Sequence, residues 1–344
     1  MQQNFYLKRD QLSSVLSEIS KSHALFCPQK KDDDYVYLPW AQIQSEEAIY
    51  NEYRGVEPIK SFLTHSKEIV NEYFNSPDAP AEAKPLAVFG VKNCDLSSLT
   101  LQDYVFEQGV EVDPIYKKRR ENLLIISSDC TGFKPTCFCL AVGNKPYPEK
   151  NFDINLSPIN NGFVVEVGSS KGETLIRKLN QYFTAATTGQ IAGSKIKRDN
   201  IVNDLNRHLA TVNIPPANAL QKNIQEGYDS NVWKEQMLTC VECGACNFIC
   251  PSCHCFLLAD EEKQGRSERI RVWDSCLYAN YSKVAGGANP LNTRAKRLRN
   301  RFVKKFDFFP DNLGQFGCTG CGRCIEACPA KIDIREVLKS LAKK

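Results

Sequence analysis

At 344 residues, 42% of them apolar and 24% charged, the chain has material for two globular domains, and no run approaches the roughly 18 apolar residues of a membrane span. A formal net charge of +4 gives no nucleic-acid footprint, so neither nucleic acid nor membrane insertion is expected. The start, Met1 to Asp10, lacks the apolar core of a signal peptide, so sixteen cysteines point to metal ligation in a reducing, cytoplasmic setting rather than to disulfides.

In chain order, Asp10 to Ile19 reads as an amphipathic helix capped by Asp10, and Tyr35 to Leu38 as a strand. Cys27 stands alone and reads as a buried thiol. Pro77, Pro80 and Pro85 punctuate a loop. Leu86 to Gly90 is an apolar run suited to a buried strand, delivering Cys94-Asp95 into a turn; Leu96 to Tyr104 follows as a helix. Asn122 to Ser127 is a second buried strand that ends at Asp129-Cys130, with Cys137 and Cys139 just beyond. Two strands around a helix predict an α/β unit, whose strand-end loops are the usual place for ligands. Gly162 to Val167 alternates as a half-buried strand, Lys171 to Phe183 as a helix, and Thr184 to Ser194 reads as a linker. Helical segments flank Pro215-Pro216. The fold class expected is therefore an α/β (or α+β) domain over 1–215, followed by a mainly helical two-cluster ferredoxin-like domain over 216–344.

After Trp233 to Leu238 comes Cys240-Val-Glu-Cys243-Gly-Ala-Cys246-Asn-Phe-Ile-Cys250-Pro251, and later Cys318-Thr-Gly-Cys321-Gly-Arg-Cys324-Ile-Glu-Ala-Cys328-Pro329. Both read C-x2-C-x2-C-x3-C-P, the spacing by which bacterial ferredoxins hold [4Fe–4S] clusters, the fourth cysteine serving the other cluster. That rule assigns Cys240, Cys243, Cys246 and Cys328 to one cluster, and Cys318, Cys321, Cys324 and Cys250 to a second. Structural zinc sites also use paired C-x2-C units, but rarely the compact run with a trailing Cys-Pro, present here twice. The insert between the runs reads as largely helical, notably Asn292 to Phe306. Its basic stretch, Arg294 to Lys305, is either a solvated helix face or a source of positive charge that raises cluster potentials or docks an acidic partner.

Eight cysteines lie outside the runs. Cys94, Cys130, Cys137 and Cys139 follow strands expected to end on one side of a sheet, and they are candidates for a third iron–sulfur cluster. Zinc and unrelated buried thiols are the alternatives. Cys253, Cys255 and Cys276 are open between packing around the clusters, another metal site and a partner contact.

Several stretches together resemble the iron–sulfur subunit of anaerobic sulfite reductase and the beta subunit of cytoplasmic sulfhydrogenases. They are Gly90-Val-Lys-Asn-Cys94-Asp-Leu, Cys137-Phe-Cys139, Cys250-Pro-Ser-Cys-His-Cys255-Phe, Arg271-Val-Trp-Asp-Ser-Cys276 and Gly320-Cys-Gly-Arg-Cys324. The similarity spans about residues 86–334, apart from a gap near 185–230. Asn93 departs from the arginine- or proline-containing segment of the family. The cysteine runs alone are also similar to those of heterodisulfide reductase and succinate dehydrogenase iron–sulfur proteins. The resemblance implies a subunit that relays electrons between a flavoprotein handling NAD(P)H and a catalytic subunit carrying sirohaem or nickel and iron.

The functional reading is an electron-transfer subunit with no catalytic residue of its own. The competing reading is a self-contained iron–sulfur/flavin oxidoreductase with its substrate site in the N-terminal domain. No strand runs into G-x-G-x-x-G, so a dinucleotide has no evident phosphate cradle in this sequence.

Overall fold

The computed structural model describes residues 4–43, 50–73, 84–263 and 265–343; the loop expected at Pro77 and Pro80 lies outside the described residues. The N-terminal part is built on strands β1 (Phe5–Lys8), β2 (Ala24–Lys31), β3 (Asp34–Pro39), β4 (Lys67–Tyr73), β5 (Leu86–Val91), β6 (Leu124–Ser128), β7 (Ile154–Ile159), β8 (Gly162–Val167) and β9 (Phe183–Ala185). All but β4 form one mixed sheet in the order β3-β2-β5-β6-β7-β8-β1-β9. Its centre is parallel, β2 to β5 to β6 to β7, and its flanks are antiparallel.

Helices cover both faces, which is why β5 and β6 read as continuous apolar runs rather than alternating ones. On one face, helix α1 (Leu12–Ser22) packs Val15, Leu16 and Ile19 against Leu25, Phe89 and Ile126. Cys27 lies in this core, where burial pushes its thiol well up. On the other face, α2 (Asn93–Phe106) and α3 (Pro114–Asn122) pack Leu96, Leu99, Phe106 and Tyr116 against Val88, Val91 and Ile125. Each such fully buried side chain is worth about 1.5–3 kcal/mol of transfer free energy.

Several expected boundaries shift. The cap of α1 is Gln11, with no side-chain hydrogen bond, because Asp10 falls in a preceding 3-10 turn. Cys94 and Asp95 are not in a turn: Lys92 is extended and the helix begins at Asn93, so both occupy its first turn, where a carboxylate suits the helix N-terminus. The helix expected over 171–183 is α4 (Ser170–Lys178) followed by a 3-10 turn and edge strand β9. The expected linker holds the start of α5 (Thr188–Val212), fixed by a Thr187/Gln190 capping box. Strand β8 is buried over Gly162–Val165 rather than half-buried, since it lies inside the sheet between β7 and β1.

The C-terminal part carries α6 (Ala217–Glu226), α7 (Val232–Gln236), α8 (Ala245–Phe248), strands β10 (Phe256–Lys263) and β11 (Arg266–Trp273), then α9 (Arg294–Val303), a π-helical turn (Lys304–Phe308), α10 (Phe309–Leu313), α11 (Arg323–Glu326) and α12 (Ile334–Ala342). Its core joins Leu220, Ile224, Trp233, Phe302, Phe306, Val337 and Leu338. The insert is less helical than expected. Its first half is the β10–β11 hairpin, which takes in β4 as a third strand and so stitches the C-terminal insert to the N-terminal part. Sheet therefore dominates the N-terminal region and helices the C-terminal one. Among the described residues no helix is long and apolar enough to cross a membrane.

Candidate metal centres

The two cysteine runs fold alike. In the first, Glu242 and Gly244 have φ of 58° and 74°; in the second, Gly320 and Gly322 have 69° and 74°. The paired left-handed residues on either side of the second cysteine coil each loop around a common point, and a four-residue helix, α8 or α11, carries the chain away. Cys240, Cys243 and Cys246 line one cavity, and Cys328 from the other run lines it with them, as does Cys324. Backbone N–H groups of Glu242 and Ile332 each point at a sulfur, Cys240 and Cys328, at 3.4 Å. Arg301 lines the same cavity, and its Nη2 is buried without a partner. A leftover buried donor of this kind costs free energy unless an acceptor meets it.

Around the second run, Cys318 and Cys324 both lie within electrostatic reach of Cys321 and Cys250. Burial pushes the Cys318 thiol up to about 11, against the pull of Lys305. Lys305 is buried, donates to Ser252 Oγ and Gly317 O at 2.9 Å, and reaches Cys250 Sγ at 3.4 Å. Burial alone would lower its pKa, but Cys250 and Cys253 more than offset that and hold it charged.

Cys94, Cys130, Cys137 and Cys139 line a further cavity together with Cys321. The topology explains the convergence: β5 and β6 are parallel neighbours, so Cys94 and Cys130 leave the sheet at the same edge. Cys137 and Cys139 arrive on a loop and the 3-10 turn Cys139–Val142. Burial raises all four thiols, Cys130 to about 12 despite Lys92. Arg54 lines this cavity with its Nη1 buried and unpartnered, while its Nε donates to Cys321 O at 2.8 Å.

In all, the cysteines are spread around cavity walls; among the described residues no three His, Cys, Asp or Glu side chains converge as a single-ion site. A zinc ion takes four ligands on one atom, whereas a cubane takes one thiolate on each of four irons. The donor sets and the two orphaned guanidinium nitrogens fit clusters whose sulfides would accept those N–H groups.

Cys255 and Cys276 lie close enough to perturb each other, with Tyr281 Oη 3.6 Å from Cys255 and Asn247 Nδ2 3.1 Å from Cys276. Cys253 N donates to Cys250 O at 3.4 Å. These three thus pack beside the runs.

Sequence reasoning missed the buried cations. Arg323 forms a fully buried bidentate pair with Asp95, at 2.9 and 2.7 Å. Lys92 donates to Asn51 O, Ser128 Oγ and Asp129 O, and burial lowers it to about 8. Lys60 holds the Pro251–Cys253 turn through Asn247 O and Cys253 O. The basic stretch of α9 turns out to be two faces: Arg294 and Lys296 are exposed, while Arg297, Arg301 and Lys305 are buried. Their four-residue spacing was the available signal. Asn93 ties α2 to the third cavity's rim through Asn144 Oδ1 and Lys145 O.

The family model of the 4Fe-4S dicluster domain matches residues 239–332. The chain is 32% identical over 252 residues to the sulfhydrogenase 2 subunit beta of Pyrococcus furiosus, an alignment covering 73% of this chain and 72% of that one. Two runs with the same backbone path, a matching dicluster model and this level of identity lead to one conclusion: the chain belongs to the sulfhydrogenase beta-subunit family, as an iron–sulfur protein of oxidoreductase type.

Proposed function

We propose that the chain is an electron-transfer subunit, passing electrons between a flavoprotein linked to NAD(P)H and a catalytic subunit. Its two ferredoxin-like [4Fe–4S] clusters are crossed: Cys240, Cys243, Cys246 and Cys328 hold one, Cys318, Cys321, Cys324 and Cys250 the other. Cys94, Cys130, Cys137 and Cys139 hold a third. The carrying observation is Cys328 on the wall of the cavity formed by the first run. When bound, each cluster supplies one-electron storage at a potential set by charge, hydrogen bonds to sulfur and exposure.

The chain's own residues provide those settings. Glu242 and Ile332 N–H groups stabilise thiolate at Cys240 and Cys328; Arg301, Lys305 and Arg54 bring positive charge and exclude water. Cys321, on both the second run and the third cavity, supports a continuous path from the N-terminal domain to the first run. A self-contained oxidoreductase is the weaker reading, since the sequence carries no G-x-G-x-x-G after a strand to cradle a dinucleotide.

Anaerobically purified protein should hold about twelve irons, four per cubane. Cys250→Ser should remove the EPR signal that Cys318→Ser also removes; loss of the Cys240 signal instead sinks the crossed assignment. Cys137→Ser should cost about four irons and leave the dicluster signals. NADPH alone should leave the clusters oxidised, and bleaching without a flavoprotein would favour the self-contained enzyme. Nickel or sirohaem in the co-purifying catalytic subunit decides between hydrogen and sulfite chemistry.

A further inference from the structure

The first cysteine run opens to solvent. Cys243 is exposed, and Val241 and Leu238 beside it are 66% and 75% exposed. Two exposed cations belong to segments that touch this cavity. Exposed Arg294 donates to Cys240 O at 2.7 Å, and exposed Lys331 sits between the wall residues Ala330 and Ile332. The nearby carboxylate, Glu242, is already compensated by Arg297 at 3.0 Å and Arg294 at 3.6 Å. Among the described residues Lys331 makes no ion pair. The result is a small apolar spot over a proposed cluster ligand, with positive charge at its rim.

Electron-transfer encounters are the smallest specific interfaces, below about 1,200 Å² in total, and rely on charge steering rather than on a broad apolar core. We infer that this face docks an acidic one-electron carrier protein, which exchanges electrons with the cluster at Cys243. The inference rests on the cluster assignment proposed above. In each encounter the carrier loses one electron and the cluster gains it, with no bond made or broken.

The test uses the full cluster-loaded chain under anaerobic conditions, mixed separately with a reduced acidic [2Fe–2S] ferredoxin and with the methyl viologen radical cation. Freeze-quench EPR follows cluster reduction. Leu238→Glu combined with Lys331→Glu should slow reduction by the ferredoxin about tenfold and flatten its salt dependence, while reduction by the cationic viologen is not slowed. Equal ferredoxin rates in variant and wild type overturn the inference. Iron content reports whether the double variant assembles; if it does not, Lys331→Glu alone, a change at an exposed side chain, decides by the same comparison. Wild type reduced by viologen but not by ferredoxin overturns the docking and leaves the cluster assignment standing, whereas reduction by neither overturns both. A dimer that Leu238→Glu dissociates would replace the carrier with a second copy of the chain.

Discussion

The two cysteine runs share spacing and backbone path, yet one faces solvent and the other is sealed into the protein. Where the first has Glu242 the second has Gly320, at the same left-handed position. A Cβ on Gly320 would sit 2.4 Å from Cys139 Cα and 2.6 Å from Cys139 N. Phe138 N donates to Gly320 O at 2.8 Å, so the second loop lies backbone to backbone on the segment bearing Cys137 and Cys139. The first loop meets side chains: a Cβ on Gly244 would approach Tyr278, Phe248 and Ser275 at 3.0–3.1 Å. Identical cysteine spacing thus leaves the two runs alike, and the residues between the cysteines say which one is interior. Under the relay proposed above, the surface exit lies at the first run.

The strongest way to break this comparison is Gly320→Ala. Both the clash with backbone and the left-handed φ oppose it, and neither neighbour can yield. A loss above about 4 kcal/mol is expected, seen as protein that fails to accumulate with iron. Normal yield and iron content would mean that the second loop can move away from Cys139. Next comes Arg323→Met, which strands Asp95 as a buried unpaired charge and should cost about 3–5 kcal/mol. Asp95→Leu in the same chain should recover much of that, because removing both partners removes the unpaired charge; no recovery in chemical unfolding of the double variant would show that Arg323 acts mainly through Gly55 O and Glu57 O.

Much of this centre was legible in the sequence. The two runs, the buried strands at β5 and β6, and the set Cys94, Cys130, Cys137 and Cys139 could be read because ligand spacing and apolar runs are local signals. The β10–β11 hairpin could not: Phe256 to Lys263 ends in charges, and its pairing with β4 is set by residues nearly two hundred positions away. The Arg323–Asp95 pair was hidden for the same reason, although an arginine between two ligand cysteines is an unusual place for a solvated charge. The third cavity also includes Cys321, which the spacing rule had fully used elsewhere.

A charge change sharpens the comparison without unfolding the chain. Lys305 lies 3.4 Å from Cys250 Sγ in a buried setting, so Lys305→Met should lower the potential of the second cluster on the order of 50 mV, roughly a tenfold change in its equilibrium. Arg294→Met at the open run should shift the first cluster less, because water screens an exposed charge. EPR-monitored titration of both variants measures the difference, and a larger shift from Arg294 would reverse the assignment of sealed and open centres.

The smallest effect is expected from Glu242→Gly, the counterpart of Gly320→Ala. A non-glycine residue at φ 58° carries strain of about 1 kcal/mol, which glycine relieves. Against that, glycine adds unfolded-state entropy worth about 0.5–1 kcal/mol. It also gives up the pairs with Arg297 and Arg294, which at a partly exposed carboxylate are together worth at most about 1 kcal/mol. Arg297 is buried but not stranded, since it still donates to Leu277 O at 3.0 Å and Leu291 O at 2.8 Å. The three contributions nearly cancel, so thermal unfolding of the cluster-loaded variant should move by no more than about 1 kcal/mol equivalent, with iron content unchanged. The open loop tolerates either residue because little backbone packs on it, while the sealed loop accepts only glycine. If Glu242→Gly proved as damaging as Gly320→Ala, the first run would have to be covered too, and the surface exit would lie elsewhere.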